Sequence, residues 1–270
     1  MGWFAQWRRS RILKRAALDP AVWQETVDRY SFISVLTQSE QARLRELVIL
    51  FLHDKAIHGA GGLVLRDEMR MAIAAQACML ILNLGLDYYR NWSEVIVYPD
   101  EFVAEYEYMD EDGVVHRVRE PMTGESWLRG PVIVSWADTQ EAGRGAGYNV
   151  VIHEFAHKLD MLNGDANGFP PLHADMSRET WSGVFSAAYR DFCGRVERGE
   201  ETPIDPYAAD DPAEFYAVAS EAFFETPCEL QASYAGVYRQ LALFYRQDPA
   251  SRLRAAARAS PPATAPATAG

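Results

Sequence analysis

His153-Glu154-Phe155-Ala156-His157 is an HExxH pentad, and its reading decides the fold around it. On a helix, residues four apart have Cβ atoms roughly 5–6 Å apart, so both imidazoles can aim a ring nitrogen at one metal ion. Glu154 then points toward water on that ion, and zinc brings the pKa of such water to about 7. Tyr148, Val150, Val151, Ile152, Phe155, Leu159 and Leu162 surround the pentad with apolar contacts, and Asn163-Gly164 supplies a C-terminal stop. The pentad therefore reads as the middle of a core helix. The alternative is a surface helix carrying an accidental pair of histidines.

Working outward, the segment Glu141 to Gly147 holds three glycines and reads as a flexible connection into this helix. Upstream, Val95 to Tyr98, Phe102 to Tyr108, Val114 to Val118 and Val132 to Trp136 are rich in β-branched and aromatic residues, with an Asp112-Gly113 turn. They predict a small, largely antiparallel sheet. Ser39 to His53 and Met69 to Leu84 carry apolar residues at helical spacing and are expected to precede the strands as two helices. Downstream, helices are predicted from Arg178 to Glu197, Pro212 to Glu225 and Ala235 to Tyr245. The Ala/Pro/Thr/Gly run from Ser260 cannot bury enough apolar surface to order itself. The expectation is an α+β, mainly helical domain over residues 30–250, between a basic aromatic arm (1–29) and a disordered tail (251–270).

The 270 residues are 49% hydrophobic, enough for a real core. The net charge is −12, and Arg8, Arg9, Arg11, Lys14 and Arg15 contribute +5 near the start, which leaves −17 for the rest. Direct nucleic-acid binding through a basic face is thereby disfavoured. Cys78, Cys193 and Cys228 are odd in number, widely spaced and without metal-ligand spacing, as free thiols in a reducing compartment would be. No unbroken apolar segment of secretory length occurs in the first twenty residues. The longest apolar run, Met71 to Leu86, is interrupted by Gln76 and Asn83 and is too short to span a bilayer. A cytoplasmic protein without stable membrane insertion is expected. The aromatic, basic start reads as a packed or solvated arm, with a membrane-surface helix as the alternative.

A catalytic zinc site generally has three protein ligands and one open position. The places where a metzincin keeps its glycine and third histidine hold Asp160 and Asn163, so that class is excluded. A glutamate from a later helix remains, and Glu214, Glu221 and Glu225 lie within about 20° of one stripe at 100° per residue. Such a stripe can equally be a solvated face. Asp211-Pro212-Ala213-Glu214 also reads as an N-cap, a proline at the first helical position and a capping-box glutamate.

Further stretches carry a resemblance. His153 to Asp160, Asn163-Gly164-Asp165, Tyr207-Ala208-Ala209, Asp211 to Glu214 and Ser220 to Phe224 resemble the Mlc titration factor A family of bacterial zinc peptidases. Ala74 to Cys78, Leu82 to Leu86, Val97-Tyr98-Pro99, Ser126-Trp127 and Gly130-Pro131-Val132 are similar to it as well, so the likeness covers about residues 30 to 250. It implies a gluzincin-type, zincin-like catalytic domain, similar to that of anthrax lethal factor, with one Zn2+ per chain. It implies His153, His157 and Glu214 as zinc ligands, Glu154 as general base and Tyr207 as an oxyanion donor. Aminopeptidase-like action on small peptides is implied, as is a link to a DNA-binding transcriptional repressor of sugar uptake. A chain that acts chiefly by titrating that repressor, with hydrolysis secondary, is the competing expectation; the basic aromatic start and the loop Gly199 to Asp210 are its candidate docking surfaces. A purely structural zinc protein would instead show four protein ligands. Asp160 and Glu221 are candidates to orient the ligating histidines, or to cap and pair elsewhere. His53, His58, His116 and His173 lack paired spacing and read as surface or structural residues.

Overall fold

The computed structural model describes residues 3–100, 102–109, 115–122, 124–126 and 130–259. In chain order the helices and strands are α1 (Trp3–Arg15), α2 (Pro20–Arg29), α3 (Ser31–Ser34), α4 (Gln38–Asp54), β1 (Ala56–Gly59), α5 (Asp67–Leu80), β2 (Glu94–Tyr98), β3 (Phe102–Met109), β4 (Val115–Met122), β5 (Gly124–Ser126) and β6 (Val132–Ser135). There follow α6 (Trp136–Glu141), α7 (Val150–Asp160), α8 (Arg178–Glu197), α9 (Pro212–Glu225), α10 (Pro227–Ser233), α11 (Ala235–Tyr245) and α12 (Pro249–Ala259).

The pentad helix α7 is the centre of the packing. Asn149 caps it, its side-chain oxygen accepting from Ile152 N at 3.0 Å, and Val151, Ile152, Phe155, Ala156 and Leu159 are wholly buried. It packs between α9 on one side and α5, β5 and β6 on others. Phe155 seats edge-on against Tyr89 and Trp92, with Phe51 closing the cluster. A second aromatic group, Trp181, Phe185, Phe215, Tyr216 and Phe244, ties α8, α9 and α11 together and so fixes α9 from behind.

The main sheet has the order β1-β2-β6-β5. β1 pairs parallel with β2 and β2 parallel with β6; only the edge strand β5 runs antiparallel. The expectation of a largely antiparallel sheet is thus corrected. Two physical reasons account for it. β3 and β4 do pair antiparallel, from Phe102↔Met122 to Met109↔Val115, but as a separate two-stranded ribbon that adds nothing to the main sheet. β1, in turn, carries a single buried residue, Ile57, which gives no readable alternation, and α5 follows it as the crossover that returns the chain to a parallel neighbour. The Asp112-Gly113 turn lies outside the described residues.

The helix at Met69 to Leu84 is observed as α5 and stops at Leu80, and Trp136 opens α6 rather than ending β6. The three downstream helices have the expected bounds. Residues 1–29 contain α1 and α2, and α2 buries Trp23 and Val27 in the core. Residues 251–259 continue α12, so this part of the expected tail is helical; Ser260 onward lies outside the described residues. Cys78, Cys193 and Cys228 are free. Among the described residues no helix is long and apolar enough to cross a membrane.

Candidate metal centre

Two helices bring the centre together. His153 and His157 stand one turn apart on α7, their rings 4.8 Å apart, and α9 crosses beside them. At the start of α9, Asp211 caps the helix by accepting from Ala213 N at 2.6 Å and Glu214 N at 3.0 Å. The cap is therefore complete without the Glu214 carboxylate. That carboxylate turns to the histidines instead, Oε2 lying 3.0 Å from His153 Nε2 and Oε1 3.3 Å from His157 Nε2. The two Nε2 atoms are 3.1 Å apart. Among the described residues these three form the one group whose ligand atoms all lie within 4.8 Å of one another and can hold a metal ion.

The chemistry of this set fits a cation. Glu221 Oε1 lies 2.8 Å from His153 Nδ1 and, as a carboxylate, accepts a hydrogen bond from Nδ1–H, which keeps that proton on Nδ1. His153 Nε2 is then left with a lone pair aimed at the Glu214 carboxylate, and two electron-rich atoms at that distance require a positive charge between them. A proton can serve, and a divalent ion serves all three atoms together. The same balance acts on the titrations. Burial lowers the His153 pKa, but the Glu214 and Glu221 carboxylates outweigh it and raise the value well above the ordinary one. Burial likewise opposes the ionised Glu214, yet the His153 and His157 contacts carry its pKa well below the usual carboxylate range.

Glu154 faces the same space under different constraints. It is buried, and its Oε2 accepts no hydrogen bond among the described residues. Burial, opposed by His153 and His157, pushes its pKa up to about 7. An oxygen of this kind is ready to exchange a proton with whatever occupies the neighbouring volume. Tyr207 rises from the short 3-10 turn Pro206–Ala209, 54% exposed, its ring centred 6.2 Å from that of His153. Burial and then the Glu214 charge push the phenol up to about 12, so it keeps its proton and can donate.

The two candidate orienting carboxylates part company. Glu221 holds His153 and also accepts from Asn149 N, the residue that caps α7. Asp160 instead accepts from the backbone amides of Asn167, Gly168 and Phe169 at 2.6–2.8 Å, which pins the loop after α7. His157 Nδ1 is buried with no partner among the described residues.

Sequence reading missed Asn149, and it offered Glu225 only as a candidate ligand, whereas the structure turns that carboxylate to the glycine segment. Glu225 accepts from Gly143 N at 2.9 Å, Gly145 N at 3.2 Å and Asn149 Nδ2 at 2.8 Å, and Asn149 Nδ2 also reaches Gln76 Oε1 at 2.8 Å. The Glu141 to Gly147 segment is thus tied to α9 by one buried carboxylate. The stripe shared by Glu214, Glu221 and Glu225 was the available signal, although not which partner each would take. His53 and His58 are exposed, and His173 bonds Phe244 O at 2.8 Å, away from the centre. The side chain of His116 lies outside the described residues.

Comparison with known proteins supplies a family setting for this geometry. The family model described as glucose-regulated metallo-peptidase M90 matches residues 4–246. Mlc titration factor A of Salmonella typhi is 40% identical over 227 residues, covering 82% of this chain and 84% of the relative. The protein of the same name in Salmonella arizonae is 41% identical over 224 residues, 81% of this chain and 88% of the relative. An uncharacterised protein of Synechocystis sp. is 36% identical over 247 residues, 90% of this chain and 89% of the relative.

Proposed function

The chain belongs to the family of glucose-regulated M90 metallopeptidases, and from that premise we propose that it is a zinc-dependent peptidase of the gluzincin type, with residues 30–250 as its catalytic domain. His153, His157 and Glu214 hold one Zn2+, Glu154 is the general base and Tyr207 the oxyanion donor. The observation that carries this reading is the convergence of two Nε2 atoms and one carboxylate, 3.0–3.3 Å apart, beside the unpartnered oxygen of Glu154.

When bound, zinc supplies the Lewis acid that polarises a peptide carbonyl and acidifies a water. The chain's own residues do the rest. Glu154 Oε2 takes the proton of the attacking water and delivers it to the departing amine nitrogen, as a carboxylate with a pKa near neutrality can. Glu221 keeps the His153 ring in one tautomer and one orientation. Tyr207, protonated and exposed at the rim, donates to the oxygen that gains negative charge, a contact of the kind worth about 2.7–4 kcal/mol. The family resemblance implies aminopeptidase-like action on small peptides in the cytoplasm, and the acidic balance of the chain leaves room for a basic N-terminal amine.

Glu154→Gln tests the reading. The variant retains one zinc per chain and its melting temperature, and loses hydrolysis of short chromogenic peptides by about 10²–10⁴-fold; unchanged hydrolysis refutes it. A second reading rests on the Salmonella relatives' name, Mlc titration factor A: the chain sequesters a DNA-binding repressor of sugar uptake, and hydrolysis is secondary. Repressor release from its operator that persists in Glu154→Gln favours that reading; release lost together with hydrolysis favours proteolysis.

A further inference from the structure

α1 presents a surface that neither the core nor the metal centre uses. Its sequence, WFAQWRRSRILKR, contains five cations and no acidic residue. The helix packs on α4, where Arg9 Nη2 meets Glu46 Oε2 at 2.9 Å. Ile12 and Leu13 are half-buried. At 100° per residue, Trp3, Trp7, Arg11 and Lys14 fall within about 80° of one another on the outward side. Trp3 is 71% exposed and Trp7 54%, and the Arg11 guanidinium lies 5.4 Å from the centre of the Trp7 ring. Among the described residues Arg9 alone of the five cations has an acidic partner; Arg8, Arg11, Lys14 and Arg15 do not.

A receiving surface must accept two indoles and neutralise four positive charges at once. A second copy of the chain meets only half of this. Its remaining net charge of −17 suits the cations. However, outside α1 the exposed large hydrophobics among the described residues are Val64, Tyr207 and Leu243, far apart along the chain and on different elements. Among the described residues no single segment outside α1 thus carries two of them, as a site for two tryptophans would require. The headgroup layer of an anionic bilayer meets both needs, because indole rings settle at the boundary between acyl chains and water while phosphates balance Arg and Lys.

We infer that α1 is an interfacial helix that holds the protein on anionic phospholipid surfaces, with Trp3 and Trp7 at the acyl boundary and Arg8, Arg11, Lys14 and Arg15 on the phosphates. The acidic body is repelled by the same surface, so contact is confined to α1 and the attachment is reversible by salt.

Flotation of the full chain with vesicles tests this. With equal parts phosphatidylglycerol and phosphatidylcholine at low salt the protein floats, and with phosphatidylcholine alone it stays behind. Trp3→Ala/Trp7→Ala and Arg11→Glu/Lys14→Glu each lower partition at least about tenfold, with unchanged thermal melts, because these side chains are exposed. The inference is overturned by absence of flotation, by equal flotation on both vesicles, or by variants that float like the parent. It also falls if sedimentation shows that Arg11→Glu/Lys14→Glu dissolves a dimer while vesicle binding is absent, which makes a second copy the occupant.

Discussion

Glu221 is the side chain on which the orientation of His153 most directly depends. Its Oε1 holds Nδ1 at 2.8 Å and it is almost wholly buried, so no water competes for the contact. Glu221→Gln preserves the shape but replaces a carboxylate by an amide that accepts far more weakly. Zinc affinity, read by competition with a chromophoric chelator, is expected to fall about 10–100-fold; unchanged affinity means that the ring is held by packing alone. At this scale the sequence was legible where spacing carries the chemistry. HExxH fixes two nitrogens and the position of Glu154 before any fold is known. Glu214 was ambiguous because Asp211-Pro212-Ala213-Glu214 satisfies a capping pattern equally well, and only three-dimensional geometry shows Asp211 completing the cap alone. The unpartnered oxygen of Glu154 was not legible, since burial depends on what α9 and its neighbours cover.

Between elements, the connection into α7 behaves differently from what its glycines suggest. Gly143 has φ 84° and its amide donates to Glu225, and a Cβ there would overlap the Tyr30 ring, itself buried and bonded to Gln76 at 3.0 Å. Gly143→Ala is expected to cost about 1–3 kcal/mol in chemical denaturation, from positive φ and crowding together. A cost under about 0.5 kcal/mol would mean that the segment shifts freely and is not anchored. The bounds of α8 and α9 were read well because local signals mark them: Ser177 capping α8, Asp211 and Pro212 at the start of α9; α11, which has no side-chain cap, was read from its apolar spacing. Strand direction was not, because parallel pairing is set by a crossover and leaves no local mark. The Asp112-Gly113 pattern pointed to the β3–β4 ribbon, and the ribbon was mistaken for the sheet.

Over the whole molecule, an ion held as proposed by His153, His157 and Glu214 would cross-link α7 and α9. At about 1,000 times its dissociation constant, a ligand that binds only the folded state adds about 4 kcal/mol. Chelation is therefore expected to lower the melting temperature clearly, and restoring zinc to recover it. The size of this effect depends on pH with a definite sign. The folded-state pKa of His153 is raised above its unfolded value, so the proton-linked stability of the ion-stripped chain is complete below about pH 6.5 and is lost as pH climbs through the folded value. Zinc needs the site that the proton leaves. The gap between zinc-loaded and stripped melting temperatures should widen from about pH 6 to about pH 8. A gap that narrows over that range would show that His153 does not share its Nε2 between proton and metal.

The three glutamates of α9 meet three different dependants: Glu214 the histidine pair, Glu221 the His153 ring and the amide of Asn149, Glu225 the glycine segment. A ribosome that has just completed α7 has made both imidazoles and Glu154, but none of these counterparts. Docking of one later helix then engages all three together. The newborn chain thus cannot bring His153, His157 and Glu214 together until α9 has left the exit tunnel, and a product truncated before α9 lacks the whole constellation.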